Sequence, residues 1–205
     1  MARYEGGELG LYPGTEVLIN KLGIRDQAEL DAAEAPLVLL AAVELAEAPL
    51  PEPRSGPGFG YLLRIHEALF RDVYDWAGTV RNVDISKGST RFANFRHIES
   101  EGTKLTDALA AEGWLEHRAP KDFARRMAYY MGELNVLHPF REGNGRALRE
   151  YVRHLAERAG HSLSWEGVSG DEMVTASIEA YRGNYDPLEA LIWRQMTGFT
   201  GGQGK

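Results

Sequence analysis

His138-Pro139-Phe140-Arg141-Glu142-Gly143-Asn144-Gly145-Arg146, followed three positions on by Arg149, is the stretch on which the reading of this 205-residue chain turns. Gly143 and Gly145 flank Asn144, and glycine takes up positive φ at little steric cost. Successive N–H groups in such a turn can converge into a concave anion site. The residues after it, Arg146 to Ala159, read as a helix that stops at Gly160. Leu148, Val152, Leu155 and Ala159 make its apolar stripe, and Arg146, Arg149 and Arg153 fall on another face. The glycine turn therefore opens a helix N-terminus, where unpaired N–H groups and the macrodipole favour phosphate. Arg146 and Arg149 are close enough in sequence to neutralise a polyphosphate through bidentate contacts.

Two further groups complete the set. Glu142 offers one carboxylate, and magnesium commonly takes one or two protein carboxylates, filling its shell with water and phosphate oxygens. His138 is a proton acceptor whose ordinary pKa lies near neutrality. No Gly-Lys-Ser/Thr follows the glycines, so this is not a Walker loop.

The block resembles the signature of the Fic family, His-Pro-Phe-x-Asp/Glu-Gly-Asn-Gly-Arg-x-x-Arg, at every defined position from His138 to Arg149. Leu11 to Ile24 resembles the N-terminal arm of short bacterial members. Ile65 to Gly78 and Ile85-Ser86-Lys87-Gly88 resemble the segment leading into the family's flap hairpin. The resemblance implies a mainly α Fic fold: a helical bundle with one short β-hairpin beside the active loop. It implies transfer of AMP from ATP to a hydroxyl side chain of another protein, with pyrophosphate leaving. His138 would deprotonate the hydroxyl, and Glu142 would hold the Mg2+ that bridges the α- and β-phosphates. Gly143, Asn144 and Gly145 would line the anion hole, Arg146 and Arg149 would lie on the β/γ side, and Phe140 would anchor the loop. Ile85, Ser86, Lys87 and Gly88 would register the target main chain by strand addition; otherwise they are a structural hairpin. Relatives that transfer phosphate carry Ala at the place of Gly143 and Lys at that of Gly145, so this chain resembles the nucleotidyl-transferring kind. Transfer of phosphate or another phosphate-linked group is the alternative, and an idle binding module the third reading.

Regulation is implied in the same way. Fic enzymes resembling this one are held off by a helix bearing Ser/Thr-x-x-x-Glu-Gly/Asn, whose glutamate pairs with the second signature arginine. Ser162-Leu-Ser-Trp-Glu166-Gly167 fits that string literally, yet it follows the Gly160 helix stop and is read as coincidence. The expected inhibitor is then a separate small helical antitoxin, and the chain the toxin of a toxin–antitoxin pair. Type II topoisomerases are the target class that the resemblance suggests, and self-association is left open.

Composition frames these expectations. Hydrophobic content of 43% and charged content of 26% suit a soluble globular chain. A net charge of −7 argues against a direct nucleic-acid surface. Zero cysteines exclude disulfides and thiolate metal sites. No apolar opening and no run near the ~18 residues of a membrane helix are seen, so no membrane partner is expected and the cytoplasm is the expected compartment.

Residues 1–57 read as an arm and helix packed on a catalytic core over 58–197, with a flexible glycine-rich tail at 198–205. Asp26 to Ala35 favours helix by propensity. Leu62, Ile65, Leu69, Val73 and Trp76 recur at helical spacing. Thr79 to Ala93 reads as the hairpin, with further helices at about 98–115, from Pro120 into His138, and near 170–181 and 187–197. His66, His97 and His154 read as packed or solvated, Trp76 and Trp165 as core. Tyr151 either flanks the adenine or packs inside.

Overall fold

A computed structural model describes residues 10–88 and 90–197. Helix α1, Gln27–Glu47, starts where the Asp26 carboxylate accepts the Glu29 N–H at 3.0 Å. It runs twelve residues beyond the expected Ala35, through Pro36, because Leu30, Val38, Ala41 and Leu45 bury one stripe against the core. Tertiary burial outweighs the lost proline N–H. Glu34 sits in that same stripe.

Helix α2, Phe59–Phe70, buries Leu62, Ile65 and Leu69 as expected but ends before Val73 and Trp76. Lys21 draws the chain out of the helix there: its Nζ donates to the Arg71 carbonyl at 2.9 Å and its backbone N–H to that of Val73 at 2.8 Å. Val73 is buried regardless, so the apolar period continued into a turn.

The hairpin is shorter than its sequence suggested. β1, Ser86–Lys87, pairs antiparallel with β2, Thr90–Arg91, Ser86 opposite Arg91 and Lys87 opposite Thr90. Helix α3, Ile98–Ala111, stops short of Leu115 because Gly113 and Trp114 take positive φ. Helix α4, Pro120–Leu137, carries proline in its first turn, where the missing N–H costs nothing. Helices α5, Asn144–Arg158, α6, Gly170–Tyr181, and α7, Asp186–Thr197, complete the chain.

α4 is the central element, packed against α3, α5, α6 and α7, while α2 joins α1 to α5. One apolar cluster runs from Val17 to Met196, with Phe123 and Met127 of α4, Val152 and Leu155 of α5 and Ile192 of α7 essentially solvent-free. The architecture is mainly α, a helical bundle with one two-stranded hairpin, as expected. None of the described helices is long and apolar enough to cross a membrane. The expected tail at 198–205 lies outside the described residues.

Candidate active site

The signature loop spans the gap between the end of α4 and the start of α5. Its shape is set by side chains the loop itself supplies. Asn144 is buried, and its amide closes on Phe140: Oδ1 accepts the Phe140 N–H at 2.8 Å and Nδ2 donates to the Phe140 carbonyl at 2.8 Å. The Asn144 side chain therefore braces the loop, and only its backbone N–H is available to an anion. Phe140 is 1% exposed and anchors the loop, as the resemblance implied.

Two residues outside the signature hold this loop in place: His66, which the sequence reading left as packed or solvated, and Arg81, which it did not single out. His66 of α2 is fully buried and stacks on Phe140 with ring centroids 3.7 Å apart. Its Nδ1 accepts the Gly78 N–H at 2.9 Å, so Nε2 carries the proton and donates to the Glu142 carbonyl at 3.0 Å. Burial pushes its pKa down to about 3, which keeps that tautomer neutral. Arg81, 3% exposed, donates to four carbonyls: His138 at 2.8 Å, Val83 at 2.6 Å, Ala93 at 2.5 Å and Leu137 at 3.1 Å. It caps the C-terminus of α4 and ties the hairpin to the loop in one fork. A buried charge interrupting an apolar surface would have been the only sequence signal, and a single chain does not reveal burial.

His138 ends α4 in the left-handed conformation, φ 46°. Its Nδ1 lies 2.9 Å from the Asn135 carbonyl, which can only accept, so Nδ1 is protonated and Nε2 holds the lone pair. Phe92, just beyond β2, stacks on the imidazole at 3.7 Å. Burial first, then the charges of Arg81 and Lys87, lowers the His138 pKa to about 3. The ring is a neutral acceptor throughout the physiological range.

A stability prediction follows from these two imidazoles. Unfolded, each titrates near pH 6.5; folded, near 3. Between those values the unfolded chain binds more protons, so stability rises with pH, by about 1.4 kcal/mol per unit for each ring, and is lost as the pH drops. Above pH 6.5 the contribution is flat. Urea midpoints at pH 7.5 and 5.0 measure this, and equal midpoints would contradict it.

Gly143 takes φ +79°, and a Cβ there would stand 2.3 Å from the Phe70 ring. Gly143→Ala is therefore expected to displace the loop and destabilise the fold by roughly 2 kcal/mol or more, read as a lowered melting temperature. At Gly145 the situation differs, for a Cβ would meet only Arg149 Nη1, at 3.7 Å.

Glu142 is 9% exposed; its Oε1 accepts the Gly143 N–H at 2.8 Å and lies 3.4 Å from Arg146 Nη2. No group of three His, Cys, Asp or Glu suited to a metal occurs among the described residues. A lone carboxylate beside a phosphate cradle still fits magnesium, whose other ligands are phosphate oxygens and water.

The two arginines stand in different surroundings. Arg146 pairs with Glu34 at 2.6 Å as well as with Glu142, and lies over the Phe70 ring at 4.6 Å. Arg149 has no carboxylate partner among the described residues, and burial and the charge of Arg146 lower its pKa. An uncompensated, half-buried guanidinium in the second turn of α5 is an anion site in waiting.

In the flap, Ile85 is buried, while Ser86 is half-buried and Lys87 and Gly88 are exposed. The Phe92 N–H donates to the Ile85 carbonyl at 3.4 Å. Antiparallel ladders alternate, so the N–H and C=O of Ser86 point to the outer edge. Tyr151 is core: its hydroxyl donates to the Pro57 carbonyl at 2.5 Å. Trp165 is half-buried, its Nε1 on the Arg149 carbonyl at 2.9 Å.

Fold and signature together define a Fic protein, and the Fic/DOC family model matches residues 59–156; the chain belongs to that family. It is 45% identical over 202 residues to the protein adenylyltransferase VbhT of Bartonella schoenbuchensis, covering 98% of this chain and 41% of that protein. It is 38% identical over 193 residues to the probable protein adenylyltransferase Fic of Salmonella typhimurium, covering 94% of each. Among solved structures it resembles the Bartonella tribocorum effector BepC with bound AMPPNP: TM-score 0.83, 30% identity, 91% of this chain and 95% of that one. The chain thus spans about two-fifths of VbhT and nearly all of the Salmonella protein.

Proposed function

We propose that this chain is a protein adenylyltransferase. The observation that carries this reading is a neutral imidazole with its lone pair on Nε2, on a loop that opens into the N-terminus of α5 beside Arg149. The target hydroxyl gives its proton to His138 Nε2 and its oxygen attacks the α-phosphorus of ATP. The bond from that phosphorus to the bridging β-phosphate oxygen breaks, and pyrophosphate leaves. Backbone N–H groups of Gly143, Asn144 and Gly145 and the guanidinium of Arg149 meet the developing charge, with Arg146 behind them. Glu142 would hold Mg2+, which neutralises phosphate charge when bound. Phosphate transfer is the weaker reading, since the loop resembles the nucleotidyl-transferring kind at Gly143 and Gly145.

Incubation with labelled ATP, magnesium and cell lysate tests the reading. Label from the α-position on protein supports it, and label only from the γ-position overturns it.

The outward edge at Ser86 supports docking of an extended target segment along the flap, with Lys87 and Gly88 leaving the approach open and Ile85 anchoring it from beneath. The division into an arm over 1–57 and a catalytic core over 58–197 belongs to the same proposal, although α1 shares its apolar cluster with the core.

Inhibition by a separate protein is supported by Arg149 and by a groove of about 380 Å³ beside it, lined by Val38, Leu39, Ala42, Leu69, Arg149 and Trp165. Leu39 is 67% exposed there. An amphipathic antitoxin helix fits such a groove with one carboxylate on Arg149. Glu166 lies in a turn and makes no ion pair among the described residues. Growth inhibition by Glu166→Gly is therefore expected to equal that of the parent; a marked rise would assign the inhibition to this chain. The cytoplasm as compartment and type II topoisomerases as targets rest on the family resemblance, and an intact-mass shift of about one AMP on a candidate subunit checks the latter.

A further inference from the structure

Glu34 is 2% exposed, on a helix outside the residues that the family model matches, at a stripe position where Leu30 and Val38 one turn either side are apolar. A buried carboxylate in an apolar stripe is retained only where partners satisfy both oxygens. They do: Oε1 stands 2.6 Å from Arg146 Nη2, and Oε2 accepts the Tyr74 hydroxyl at 2.5 Å. Tyr74 is itself fixed by stacking on Trp76 at 4.3 Å, and Phe70 lies under the Arg146 guanidinium. The same Nη2 also faces Glu142 Oε1, but at 3.4 Å. One nitrogen is thus shared unequally between two acids, and the nearer one is Glu34.

We propose that Glu34 is a positioning residue that draws Arg146 away from Glu142, so that the Glu142 carboxylate stays available to a divalent cation. This rests on the reading of Glu142 as the metal carboxylate. With the charge of Glu34 removed, Arg146 has a single acid left and closes on Glu142. A guanidinium seated on that carboxylate competes with the cation for the same oxygens. α1 would then act on the site through one side chain, and any displacement of α1 would be read out as a change in metal affinity.

The test is Glu34→Gln, which keeps size and hydrogen-bonding capacity but loses the charge. Binding of a nonhydrolysable ATP analogue is measured by calorimetry across a magnesium series and in chelator. The magnesium concentration for half-maximal enhancement of binding is expected to rise about tenfold or more, the size usual for partners just outside a metal's ligands. Affinity in chelator should be unchanged. Tyr74→Phe, which removes only the hydroxyl that aims the carboxylate, should shift the same midpoint in the same direction by less. In an Arg146→Met background, Glu34→Gln should add no further shift, since the effect travels through Arg146. If Glu34→Gln melts earlier but keeps the parent's magnesium midpoint, Glu34 only fastens α1 to the core and the proposal fails. Should Glu34→Gln not fold, an unshifted midpoint in Tyr74→Phe likewise overturns it. If the parent's own binding is indifferent to magnesium, the metal reading of Glu142 fails first, a result that the parent alone reveals.

Discussion

Replacing His138 with alanine is expected to lower AMP transfer by at least about a hundredfold and up to ten-thousandfold, the range for loss of a positioned general base. ATP binding should be nearly unchanged, because the groups assigned to the phosphates are the α5 N-terminus and Arg149 and not the imidazole. The ring is placed for one job. Its Nδ1 proton is spent on the Asn135 carbonyl, its face lies on Phe92, and its pKa near 3 keeps Nε2 basic in form at every physiological pH. The pH profile of the parent should accordingly show no limb near 6.5 from this residue. A limb there, or His138→Ala retaining more than about a tenth of parental label transfer, would falsify its role as base.

Arg81→Ala is expected to be the most destabilising single change at the site, by about 4 kcal/mol or more. It leaves the carbonyls of Leu137, Val83, His138 and Ala93 without their donor, and buried unsatisfied acceptors cost about 1–3 kcal/mol each before water enters. Arg81→Lys should recover only part of this, since one ammonium cannot reproduce a planar fork spread over four acceptors. Chemical denaturation measures the first claim. The second is sharper in activity: because Arg81 joins the end of α4 to the hairpin, Lys at this position should impair transfer to a protein target more than hydrolysis-independent ATP binding. Equal stability of the parent and Arg81→Ala would remove the structural argument for this residue.

Much of the fold was legible because its helices obey a 3.6-residue period with clear stops. α4, α6 and the Gly160 end of α5 fall within a residue or two of their expected limits. The misses share a cause: a period in apolar residues reports burial, not hydrogen bonding. Val73 and Trp76 kept the α2 rhythm while Lys21 had already taken the carbonyls needed to continue the helix. Conversely α1 ran through Pro36, where local propensity predicted an end, because its stripe was buried. At the site, the chemistry-bearing residues could be named from their types and spacing, but their division of labour could not. Asn144 proved to be a brace rather than a phosphate ligand by side chain, and Arg146 a cation already half engaged by acids, leaving Arg149 as the uncompensated one.

Taken alone, the chain's residues determined the signature's composition and order, since a glycine turn, a base, a carboxylate and two cations within twelve positions are properties of adjacent atoms. Tertiary structure decided everything that depends on partners distant in sequence: how far the His138 imidazole is desolvated, which arginine is engaged by Glu34, and that His66 and Arg81 hold the loop. The reason is physical. Protonation state and ion pairing are set by desolvation and by charges a few ångströms away, and in this fold several of those neighbours lie 40 residues or more apart in the chain.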